Sequence, residues 1–237
     1  MDRDVAVLNR STVATDEEVE RITGALQQQV DRDFGPAWGV RTSLTFLPKG
    51  VTDGWQGRWN VVVLDTSDEA NALGYHDLTP DGLPLGKCFA KTDQMVGAQL
   101  SVTMSHELLE MLGDPDVNLQ AADENGRIYA YETCDAVEAD DIGYEIDGVL
   151  VSDFVLPEWF VASLRGHDVQ FDQERKVSEP FELAPGGYIP VTDVWPPDWQ
   201  QIQAQGEPAK DPLQRPRVGS RRERRRTGRS RWQRSAS

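Results

Sequence analysis

The sequence predicts an α+β fold: a mixed sheet carrying one long packing helix and a second helix with polar chemistry on it. Three observations lead there. Strand-like stretches recur before residue 90, with a single long amphipathic helix among them. A helical pattern over roughly 96–112 gathers His106, Glu107 and Glu110 into one sector. Hairpin-like stretches follow, and the composition then shifts to Pro, Gln, Ser and Arg. One domain is expected over 1–192, and a disordered basic tail over 193–237.

The first element is "DVAVLNR", a short alternating strand. "ATDEEVERITGALQQQVDRDFGPAWG" follows as a helix with Val19, Ile22, Leu26 and Val30 on one face. Thr15 with Glu18 fits a capping box, and Gly35-Pro36 is the expected stop. "VRTSLTFLP" alternates through Val40, Leu44 and Phe46, and "RWNVVVLD" suits a fully buried strand. "GYHDLTPDGLPLGKCFAKT" reads as a loop containing His76, then a short strand around "GKCFA". After the second helix, "GRIYAYETCDAVE" and "GYEIDGVLVSDFVLPEWF" read as strands, the latter turning at Asp147-Gly148. "PFELAPGGYIPVTD" is expected as a last hairpin.

The second helix carries the chemistry. At about 100° per residue, Thr103, His106, Glu107 and Glu110 share a sector opposite Met104, Leu108, Leu109, Met111 and Leu112. His106 and Glu110 stand one turn apart, so imidazole nitrogen and carboxylate oxygen reach a common point, and both donors suit Zn²⁺. Glu107 lies beside them, as a general base acting on water requires. On a solvated helix the same polar face would mean nothing more than solubility.

Written from His106 to Asp116, the pattern is H-E-x-x-E-x-x-G-x-x-D. It resembles the extended signature of the metzincin zinc proteases, H-E-x-x-H-x-x-G-x-x-H, some of which use Asp as the last ligand. The order of elements before the helix also looks like a zincin upper subdomain. The resemblance implies a zincin-like mixed sheet, a zinc ion on His106, Glu110 and Asp116, Glu107 as general base, and Gly113 as the turn out of the helix. It implies a peptide or protein substrate, held by "GKCFA" as the edge strand. Glu110 in place of histidine makes the site harder and more anionic, so Mn²⁺ or Ca²⁺ competes better with zinc. No methionine follows Met111, so by the same resemblance "YETCDAVE", with Cys134, is the candidate for the position of the methionine turn.

That segment also offers rival third ligands. Glu132, 26 residues after His106, lies near the spacing at which thermolysin-like gluzincins supply a glutamate. Asp135 and Glu138 are also available. On a strand Glu132 and Glu138 share a face and Asp135 points away, unless a bulge intervenes. Asp116 has an alternative role in capping the turn. His76 and Tyr144 are candidates for contact with substrate or a developing oxyanion.

Charge divides the chain. The net charge is −16, yet ten arginines follow Asp211 against Asp211 and Glu223, leaving 14 basic and 38 acidic residues in 1–210. The acidic body repels nucleic acid and anionic membrane; the tail attracts either, without sequence preference. Two cysteines, Cys88 and Cys134, are too few for a disulfide framework. There is no leader-like N-terminus and no apolar run near the roughly 20 residues a bilayer requires, so the chain is expected to be cytoplasmic or virion-associated. Against the metallohydrolase stands a non-catalytic zincin-like accessory protein of bacterial or phage type, its tail contacting nucleic acid or a partner.

Overall fold

The computed structural model describes residues 2–67, 72–195 and 198–204. The arginine run and Trp232 lie outside the described residues. The chain is α+β, as the patterning predicts. Strand β1 (Asp2–Asn9) leads into helix α1 (Asp16–Gln29), whose N-terminus is capped by Thr15 accepting from the Glu18 amide at 3.1 Å. The expected stop at Gly35-Pro36 does not occur. A π-helical turn over Val30–Phe34 passes into a short helix α2 (Gly35–Trp38), because proline is tolerated in a first turn. Gly39, with φ of 66°, ends it.

Strands β2 (Arg41–Leu47), β3 (Trp59–Leu64), β4 (Gly74–Leu78) and β5 (Pro84–Phe89) complete a sheet ordered β2-β1-β3-β5-β4. Its pairings are parallel except β4 with β5. Two expectations change here. "GKCFA" lies inside the sheet, and the edge belongs to β4, which carries His76 on a strand rather than a loop. In β3, Val61 and Val63 are fully buried while Val62 and Leu64 are partly exposed, so only one face is covered.

Helix α3 (Ala90–Val96) was not expected; it precedes α4 (Leu100–Gly113), the helix of the polar motif. Helices α1 and α4 share one core with the sheet, where Val19, Ile22 and Leu26 meet Val5, Val61, Met104 and Leu108. Arg3 ties the start of β1 to the end of α4 through the Leu112 carbonyl at 2.8 Å.

Beyond α4 the structure is mostly irregular. Strands β6 (Gln120–Ala122) and β7 (Arg127–Ala130) pair; β8 (Tyr144–Ile146) and β9 (Val149–Val151) form the expected hairpin through Asp147-Gly148, with φ of 51° and 73°. Strand β10 (Tyr188–Asp193) lies between β7 and β11 (Gln200–Gln203). The closing hairpin is therefore β10–β11, and Trp199 is buried, so ordered structure runs past 192. A second core fills this half with Tyr129, Trp159, Phe160, Phe171 and Phe181. Trp38 packs against both cores and meets Tyr131 edge-on at 5.6 Å. Among the described residues no helix is long and apolar enough to cross a membrane.

Candidate metal centre

Helix α4 has no solvated face. Every residue from Leu100 to Leu112 is buried, including the sector of Thr103, His106, Glu107 and Glu110. The rival reading of a merely solvated face therefore fails: the sector faces other protein. Its flanks are fixed by hydrogen bonds, Thr103 to Asp93 at 3.0 Å and Ser105 to Gln29 at 2.7 Å. The Ser152 amide donates to Ser105 at 3.1 Å, so α1, α4 and the end of β9 are tied at one point. Burying charged groups demands compensating charge or hydrogen bonds, so the groups gathered around this sector determine what it can do.

Two segments close on it. Strand β4 brings His76, fully buried, with Nδ1 3.1 Å from Glu110 Oε2 and 4.0 Å from Glu107 Oε2. Neighbouring Gly74 is required: a Cβ there would lie 2.7 Å from the Glu107 side chain and 2.9 Å from the Lys87 carbonyl. From the other side comes the segment after β7. The chain leaves strand geometry at Ala130 and enters a 3₁₀ turn over Asp135–Val137. The alternation expected along "YETCDAVE" therefore does not apply, and Glu132 and Asp135 both turn inward. Gly113 permits this approach, since a Cβ there would meet Thr133 Cγ2 at 2.6 Å.

The outcome is two ligand groups sharing one residue. His106, Glu110 and Asp135 form the first; His76, Glu110 and Glu132 form the second; the donor atoms in each lie within 4.8 Å of one another. In the first, His106 Nε2 stands 3.2 Å from Glu110 Oε1 and 3.2 Å from Asp135 Oδ1. Ligands about 2.0–2.1 Å from a tetrahedral ion are separated by about 3.3–3.4 Å, so the spacing suits a metal of that size. One imidazole and two carboxylates also make an acceptable donor set for Zn²⁺ or Mn²⁺.

Electrostatics follow from the crowding. Burial works against a charged His106, but the Glu110 charge and hydrogen bonding to Asp135 and Glu110 outweigh it and hold its pKa well above the usual histidine range. Burial, then the Glu110 charge, pushes the Asp135 carboxyl well up. Cys134 is buried beside the cluster, its thiol pushed up by burial, and it belongs to neither group. Cys88 and Cys134 are unbridged.

The remaining sequence candidates fall elsewhere. Asp116 is exposed and belongs to neither group. The turn after α4 is built by Asp114, whose carboxylate accepts from the Asn118 and Leu119 amides at 3.0 Å each. Gly113 is the last helical residue, so its expected role as the turn passes to Asp114. Tyr144 donates to Asp33 at 3.0 Å and accepts from Gln29 at 3.1 Å, so its hydroxyl is engaged with α1 and the π-helical turn after it. Tyr131 stacks on Phe160 at 3.9 Å as a packing residue. Glu138 is half-buried and in neither group. Sequence reasoning placed His76 against substrate; the structure places it against Glu110. No local signal marked this: "GYHDL" has no apolar run, and only its pairing with β5, which sets His76 opposite Gly86, turns it toward α4. No family model, curated protein or solved structure matches the chain.

Proposed function

We propose that the protein is a metal-dependent hydrolase of zincin-like architecture, holding a divalent ion on His106, Glu110 and Asp135. The observation that carries this is the placement of His106 Nε2 at 3.2 Å from each of two buried carboxylates, with Glu107 next in sequence on the same helix. Bound there, the ion supplies Lewis acidity and acidifies water. Glu107 accepts the proton of the attacking water at its carboxylate and returns it to the leaving group. Gly74 keeps space for that carboxylate, and the 132–135 segment keeps bulk water away from the ligands. Peptide as substrate rests on the resemblance of the motif and the element order to zincins. Zinc is the first choice of ion, and the two-carboxylate set also suits Mn²⁺, with Ca²⁺ a further competitor.

Elemental analysis of the full chain tests the metal, with wild type beside His106→Ala. A stoichiometric divalent ion in wild type, lost in the variant, is expected; its absence from wild type at neutral pH ends this reading. For Glu107→Gln, retained metal with peptide hydrolysis lower by about 10²–10⁴-fold is expected. Undiminished hydrolysis would remove Glu107 from the chemistry.

Burial favours a second reading, a non-catalytic protein in which the ion staples α4 to the 132–135 segment. His106 is 4% exposed and Glu110 and Asp135 at most 1%. Under that reading a chelator lowers the unfolding temperature and no substrate is turned over.

A further inference from the structure

Glu110 presents its two oxygens to different histidines. Oε1 lies 3.2 Å from His106 Nε2 and Oε2 lies 3.1 Å from His76 Nδ1. A carboxylate so placed is arranged to bridge two ions. The far side of each group is completed by its own acid: Asp135 Oδ1 stands 3.2 Å from His106 Nε2, and Glu132 Oε2 stands 3.9 Å from Nε2 of His76, the looser of the two groups. We infer that His76, Glu110 and Glu132 form a second cation position, and that Glu110 bridges it to the first in a two-metal centre. The inference rests on the proposal that His106, Glu110 and Asp135 hold the first ion.

The composition of the cluster points the same way. Glu107, Glu110, Glu132 and Asp135 are at most 2% exposed, and the imidazoles packed among them are His76 and His106. Carboxyl groups thus outnumber imidazoles four to two, and such buried acids are compensated either by retained protons or by cations that take the protons' place. Each position offers one imidazole and carboxylate oxygens, a hard set that accepts Mn²⁺ as well as Zn²⁺. Bridged pairs of this kind hold their ions about 3.5–4 Å apart and clamp both the attacking and the leaving oxygen of a displacement. The substrate class thereby widens from peptides to any ester or amide with an oxygen to place between two ions. Glu107, 4.0 Å from His76 Nδ1, stands on the side of the second position.

The experiment uses the full chain stripped with chelator and titrated with Mn²⁺, followed by calorimetry and by electron paramagnetic resonance. Two equivalents are expected in wild type, the second quenching or splitting the signal of the first through exchange coupling across Glu110. His76→Ala and Glu132→Gln should each reduce the count to one and abolish the coupling, with circular dichroism confirming a folded chain. A wild-type count of one, unaffected by His76→Ala and lost in His106→Ala, overturns the second position and leaves the first intact. Two equivalents persisting in folded His76→Ala also overturn it. No binding in wild type overturns both.

Discussion

The two halves of the molecule are built on different rules and meet along α1, α2 and α4. Residues 2–113 form a sheet and two long helices whose apolar positions repeat with strand or helix period, such as Val61 and Val63, or Val19, Ile22 and Leu26. Residues 114–204 hold short strands, 3₁₀ turns and an aromatic core around Trp159, which is fully buried. Regular elements set side chains at fixed intervals and supply His76, His106, Glu107 and Glu110. Irregular backbone aims side chains freely, and it supplies Glu132 and Asp135. The cluster needs both: a helix alone presents His106 and Glu110 side by side, and only the second half closes over them.

The largest expected effect that separates the halves is one of pH. Burial, and then the charge and hydrogen bonding of Asp172, pushes the Asp153 carboxyl up to about 9. In the unfolded chain the same carboxyl loses its proton near pH 4. Between those values the folded state holds the extra proton, so the contribution of this carboxyl to stability is fully present below about pH 4 and is lost as pH rises toward 9, by at most about 1.4 kcal/mol per pH unit. Denaturant midpoints at pH 5, 7 and 9 measure this, and Asp153→Asn should flatten the slope. A slope unchanged in that variant would place its origin elsewhere.

Next in size, Trp159→Ala should remove about 3–5 kcal/mol of stability by opening the aromatic core. Trp38 packs against both cores, so the loss should come in one unfolding transition; two separate transitions by fluorescence and circular dichroism would divide the halves. Gly74→Ala sharpens the comparison within the first half. Overpacking against Glu107 and the Lys87 carbonyl should cost about 1–3 kcal/mol. It should also impair hydrolysis while metal content is kept, a combination read by elemental analysis beside turnover. Thr15→Ala is the smallest change, removing the cap of α1 for about 1 kcal/mol. It should leave metal binding untouched.

Much of this was legible in the residues themselves. The α1 face of Val19, Ile22, Leu26 and Val30 is buried as its spacing requires, the Thr15 cap is made, and the Asp147-Gly148 hairpin forms. These depend on neighbours within a few positions, where local sterics and hydrogen bonding decide. The polar sector of α4 was legible for the same reason, since a helix puts residues three and four apart on one side. Strand β4 was not, because "GYHDL" has no apolar run, and pairing with β5 makes it a strand.

The sequence by itself determined which helix carries His106, Glu107 and Glu110 and that they share a sector, because helical period is a local property. It also narrowed the candidates for a third ligand to Asp116 or the 132–138 segment. Only the tertiary structure decided that this sector is buried, that Asp135 and Glu132 reach it while Asp116 is exposed, and that His76 arrives from the sheet edge. Those outcomes depend on the direction of irregular backbone and on which strand takes the edge of the sheet. Both are fixed by packing between residues far apart in the chain.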